Sequence, residues 1–65
     1  MFNPPKNIII KSDDNELEFI KTVKTKTELM YEYKFIKSKT KLGTVMLFTE
    51  KELMKCLSSF LFIEI

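Results

Sequence analysis

From Glu16 to Ser38 apolar and polar positions alternate, with Leu17, Phe19, Val23, Leu29, Tyr31, Tyr33 and Phe35 at odd positions and mostly Glu, Lys and Thr between them. A repeat of two puts the odd side chains on one face of an antiparallel sheet and the even ones in solvent. Twenty-three residues are too many for one strand, so the run is expected to break near Lys24 to Thr27, although no Gly or Pro marks a turn there. Ile20 beside Phe19, and Met30 and Ile36 on the even face, disturb the alternation. They predict a bulge or apolar contacts on the second face.

Ahead of this run, Pro4 and Pro5 fix an extended arm over residues 1–6, and Ile8, Ile9 and Ile10 form the centre of a first strand over Asn7 to Lys11. Ser12, Asp13, Asp14 and Asn15 predict a turn, because short polar side chains bond to nearby backbone and tolerate left-handed geometry. After it, Ser38 to Lys41 reads as another turn and Leu42 to Phe48 as a strand so continuously apolar that burial on both faces is expected. So short a chain has little to cover a second face, which points to a partner subunit.

Thr49 followed three residues later by Glu52 is a capping box, so a helix opens there. On a helical wheel Leu53, Met54, Leu57, Phe60 and Leu61 share a face with Cys56 at its margin, opposite Lys51, Glu52, Lys55, Ser58 and Ser59. Phe62 falls among the polar positions. Either the helix ends near Leu61 and Phe62 to Ile65 form a terminal strand or tail, or Phe62 faces a second subunit. The expected architecture is one α+β domain over residues 1–65, a small antiparallel sheet of three to four strands followed by one amphipathic helix.

Size narrows the picture. A domain of 65 residues buries only about 60% of its unfolded surface. Cys56 is the sole cysteine, so an intrachain disulfide cannot add stability. Oligomerisation is the remaining remedy, and a homodimer is expected. No apolar run approaches the length of a membrane span, and the first residues lack the basic and apolar regions of a secretory signal. A cytoplasmic protein is the expectation.

The chain has no His, Arg, Trp, Ala or Gln and one Gly. Acid–base pairs built on His, metal sites built on His and paired Cys, and glycine-rich phosphate loops cannot be assembled from it. Asp13, Asp14, Glu16 and Glu18 lack the alternating ligands, central Gly and closing Glu of a calcium loop, and read as a solvated turn or an acidic spot for another chain's lysines. Cys56 reads as a small hydrophobe at the margin of the core. No enzymatic activity, cofactor or metal is expected.

Charge is segregated. Lys21, Lys24, Lys26, Lys34, Lys37, Lys39 and Lys41 face only Glu28 and Glu32 between residues 21 and 41, while both flanking regions are net acidic. Such a surface suits nucleic acid, another polyanion or an acidic protein, with Tyr31 or Tyr33 as stacking platforms. Lysines on exposed strands also guard small sheets against aggregation without any ligand. Without Arg the commonest base-specific contact is missing, so a nucleic-acid reading would be sequence-tolerant. A second surface is apolar: Phe60, Phe62, Ile63 and Ile65 crowd the last six positions together with Leu61, more than a small monomer can bury, and mark an oligomer or partner interface. A chain rich in Lys, Ile, Phe and Asn is what AT-rich coding sequence yields. The expectation is a small non-enzymatic protein-binding factor, encoded by a phage or mobile element, that modulates or inhibits a larger host protein. The alternative is a nucleic-acid-binding regulator using the lysine surface.

Overall fold

A computed structural model describes residues 2–65; the first residue of the expected arm, Met1, lies outside them. Four strands, β1 (Asn7–Ile10), β2 (Asn15–Lys24), β3 (Leu29–Lys37) and β4 (Val45–Thr49), run as an antiparallel meander, followed by helix α1 (Glu50–Ser58) and strand β5 (Phe62–Glu64). The sheet order is β4-β3-β2-β1-β5, so the chain finishes beside its first strand and the helix links the two edges. The α+β class holds, with five strands where three to four were expected; the terminal residues form the fifth.

The turns follow from local side-chain chemistry. Asp14 takes a left-handed conformation with φ 58°, and Asp13 Oδ1 accepts from the Asn15 N–H at 3.2 Å. Between β2 and β3 the hydroxyl of Thr25 replaces the missing Gly or Pro: it donates to the Glu28 carbonyl at 2.8 Å and accepts from the Glu28 N–H at 3.1 Å. Ser38 does similar work after β3, its Oγ accepting from the Lys41 N–H at 2.9 Å. Gly43, at φ 84°, then brings the chain back to Phe35.

Register shifts fall between Phe19 and Lys21 on β2 and between Glu16 and Leu17, where β3 skips Ile36. Ile20 and Ile36 are therefore the residues left over at two bulges, and both project into solvent. The bulges let the sheet curl. In a flat sheet β4 and β5 would stand about 19 Å apart, four spacings of about 4.8 Å. Phe48 on β4 and Phe62 on β5 instead meet edge to face with centroids 5.5 Å apart, while their strands stay unpaired.

One concave face holds the whole core: Ile8, Leu17, Tyr31, Tyr33, Phe35, Phe48, Leu53 and Phe62. The helix covers one part of it, inserting Leu53 fully, with Cys56 and Leu57 packed alongside. The capping box is formed, Thr49 Oγ1 accepting from the Glu52 N–H at 3.1 Å and Glu52 Oε1 from the Thr49 N–H at 2.9 Å. The apolar helical face is narrower than its sequence suggests. Met54 is exposed, and Phe60 and Leu61 lie beyond the helix end.

The arm covers the rest. Lys6 continues the ladder by accepting from the Phe19 N–H at 2.8 Å. The two prolines, lacking donors, then lead the chain off the sheet edge and across the core face. Phe2 packs edge to face on Tyr31 with centroids 5.4 Å apart. Pro5 is buried, and its carbonyl accepts from the Tyr33 hydroxyl at 2.6 Å.

Strand β4 departs from expectation. It starts at Val45 rather than Leu42, and Val45, Met46 and Leu47 are exposed, leaving Phe48 its only buried residue. Burial on both faces fails because β4 is an edge strand whose second face and outer rim are covered by none of the described residues. Among the described residues no helix is long and apolar enough to cross a membrane.

Burial pushes the Tyr33 phenol up to about 12, with the negative charges of Glu64 and of ionised Tyr31 adding to the shift. A phenol that ionises at a higher pH in the fold than in the unfolded chain contributes stability that is fully present below about pH 10 and is lost as pH rises through about 12. Absorbance titration at the tyrosinate band should therefore show one phenol ionising near pH 12, with loss of the fold. Tyr33→Phe should abolish that step and cost about 1 kcal/mol at pH 7 by urea unfolding, the worth of one buried hydrogen bond. A titration with no phenol above the ordinary value would contradict the arrangement.

Candidate functional site

The strand register distributes the seven lysines instead of gathering them. Lys21 stands opposite Glu32, Lys34 opposite Glu18, and Lys37 opposite Glu16. All three pairs lie on the convex face as cross-strand neighbours of opposite charge, an arrangement worth roughly 0.2–1 kcal/mol where the side chains meet. Lys24 and Lys26 sit at the β2–β3 turn. Lys39 and Lys41 lie in the β3–β4 loop at the opposite end of a ten-residue strand, about 30 Å away at 3.3 Å per residue. The positive field is thus divided into two ends with a neutralised middle.

At the loop end, Lys37, Ser38, Lys39, Thr40 and Lys41 line an open groove of about 580 Å³ whose other wall is Asp13, Asp14 and Asn15. The acidic turn and the lysine loop, far apart in sequence, face each other within one chain. Lys41 is also held over the Phe35 ring, its Nζ 5.7 Å from the centroid, a favourable cation–π placement. Tyr31 and Tyr33 are buried among Phe2, Phe19 and Phe48, so neither ring offers a face to a base. Glu16 and Glu18 lie on β2 opposite lysines, apart from the acidic turn. Among the described residues no three Asp, Glu, Cys or His side chains converge as metal ligands would.

The apolar terminus is where exposed surface concentrates. Phe62 drops out of the expected interface, because the inward side of β5 carries it into the core against Phe48. Phe60, Leu61, Ile63 and Ile65 stay 73%, 56%, 44% and 64% exposed. Ile63 is opposite Ile9 on β1, and the Ile65 N–H still bonds to the Asn7 carbonyl at 3.1 Å. Ile9, Ile63 and Ile65 therefore follow one another on the convex face at the β5 edge.

Phe60 stands out within this group. The helix ends in a Schellman arrangement, in which the Leu61 N–H bonds to the Cys56 carbonyl at 3.0 Å and the Phe60 N–H to the Leu57 carbonyl at 3.2 Å. That motif places its C′ residue in the left-handed region, where Gly is usual, and Phe60 occupies it at φ 60°. A non-glycine residue there costs roughly 1–2 kcal/mol. The ring recovers little of that through burial, since it is the most exposed large hydrophobic side chain described. Sequence reading missed this feature because it extended the helical face through Phe60. The signal available was the crowding of apolar residues past Ser59, where the helix has no core left to cover.

A double-mutant cycle on Glu18 and Lys34, with Glu18→Gln, Lys34→Gln and the pair compared by urea unfolding, should give a coupling of roughly 0.2–1 kcal/mol that shrinks in high salt. Zero coupling at low salt would mean that the two side chains do not interact across the strands.

No protein-family model, curated protein or solved structure matches this chain.

Proposed function

We propose that the protein is a small non-enzymatic binding factor of the cytoplasm that occupies a surface of a larger protein and modulates or inhibits it, with the β5 end as its contact surface. The observation that carries this reading is Phe60, an aromatic ring held in solvent on a backbone conformation that favours glycine. A residue that loses backbone energy without gaining burial serves something other than the fold, and strained positions of this kind collect at functional sites. Leu61, Ile63 and Ile65, exposed within five residues of the ring, add apolar surface of the type that marks protein interaction sites. Phe is also among the residues enriched at protein interfaces relative to the rest of the surface.

The nucleic-acid alternative draws less support, because three of the seven lysines are opposed by glutamates, two of the others share a groove with Asp13 and Asp14, and the tyrosines are buried. The reading of a phage or mobile-element origin continues to rest on composition.

Phe60→Gly separates binding from folding. The variant should be equally stable or more stable by up to about 1 kcal/mol, because glycine relieves the left-handed strain and loses part of that gain to unfolded-state entropy. Used as bait beside the wild type, it should lose at least most of any specific protein capture, as should Ile63→Ser. Fluorescence polarisation with mixed-sequence DNA and RNA at low salt should show no binding. Undiminished capture by Phe60→Gly would remove the β5 end from the interface, and steeply salt-dependent nucleic-acid binding would favour the alternative.

A further inference from the structure

The opposite edge of the sheet bears a different signature. Among the described residues no strand pairs with the outer rim of β4. Proteins protect such rims with lysine, proline, a bulge or shortness. The other open rims are protected: β5 is three residues long and carries Glu64, and the part of β2 left bare by the departing arm carries Lys21 and Lys24. Strand β4 has none of these devices. Its five residues carry no charge, and Val45 and Leu47 are 49% and 45% exposed.

Backbone alternation fixes what the rim offers. The Phe35 N–H bonds to the Thr44 carbonyl and the Gly43 N–H to the Phe35 carbonyl, both at 2.9 Å, so Phe35 presents its backbone groups toward β4. Two residues along each strand the same relation recurs, with Tyr33 opposite Met46 and Tyr31 opposite Phe48. Val45, Leu47 and Thr49 are left with their backbone groups on the free side. Thr49 has no donor to give, because its N–H is held by Glu52 Oε1 in the capping box. The usable rim is therefore Val45 and Leu47 alone.

Two residues separated by one define a twofold axis through the residue between them. We propose that the chain forms a symmetric dimer by antiparallel pairing of β4 with β4 of a second copy, centred on Met46. Val45 then faces Leu47 of the second copy and Leu47 faces its Val45, each pair exchanging both N–H···O bonds, and the two Met46 residues meet at the axis. A register centred on Leu47 would set Val45 against Thr49, whose donor is already used.

Charge does not oppose the same register. On the convex face Leu47 continues into Glu32 and Lys21, and Val45 into Lys34 and Glu18. Pairing Leu47 with Val45 of the second copy places Glu32 and the second copy's Lys34, opposite in sign, on either side of an apolar seam. Centring on Leu47 would set Glu32 toward Glu32. The dimer uses the outer rim of β4 and leaves that of β5 free in each copy, so its test is independent of the partner-binding reading.

Sedimentation equilibrium over a concentration series should show a monomer–dimer equilibrium for the wild type and monomer for Leu47→Lys, a change at an exposed position that leaves the circular dichroism spectrum unaltered. In a Cys56→Ser background, oxidation should crosslink Met46→Cys at least roughly tenfold faster than Leu47→Cys, because a facing non-hydrogen-bonded pair falls within disulfide reach and a diagonal pair does not. A wild type that stays monomeric throughout, a Leu47→Lys variant that still dimerises, or faster crosslinking through Leu47→Cys would each overturn the proposal.

Discussion

Everything in this chain depends on closing one apolar face of a sheet with very little material. The cover has two parts, a nine-residue helix that contributes one fully buried side chain and an arm that brings Phe2 and Pro5. Tyr33 ties the parts together: it lies in mid-sheet, touches Phe19 and Phe48 edge to face, and donates its hydroxyl to the Pro5 carbonyl. Burying a phenol is tolerable only when its hydroxyl finds an acceptor, and the arm supplies one from a residue whose missing N–H also releases it from the ladder.

The bulges follow from the same constraint. A flat sheet of five strands would be too wide for so short a helix, about 13 Å at 1.5 Å per residue. Leaving Ile20 and Ile36 unpaired bends β2 and β3, draws the edges together, and lets Phe48 meet Phe62 over the helix. The cost is carried on the convex face, where isoleucines stand in solvent beside the charge pairs. With one face closed and the other open, surplus apolar surface collects at the two edges. Those edges are where the functional readings lie.

Much of this was legible in the alternation of residues 16 to 38, which names the core positions Leu17, Tyr31, Tyr33 and Phe35, and in Thr49 and Glu52, whose capping box fixes the helix start. Ile20 and Ile36 announced disturbance without saying which kind. What the pattern could not convey was non-local. The apolar run from Val45 to Leu47 has the composition of a buried strand, and only the sheet order makes it an edge. The lysines formed one cluster along the sequence, yet a long hairpin carries them to opposite ends and sets three against glutamates. Phe62 and Phe60, two residues apart, were grouped as interface. The turn between them sends one into the core and leaves the other in solvent.

The central claim is that the sheet is closed on one face and open on the other, and isoleucine methyl NMR with a soluble paramagnetic relaxation agent tests it most directly. Ile8, fully buried, should be almost unaffected, whereas Ile20, Ile36, Ile63 and Ile65 should relax strongly. Comparable relaxation at Ile8 and Ile36 would contradict the account, showing either a core that the helix and arm do not seal or a convex face covered by something else.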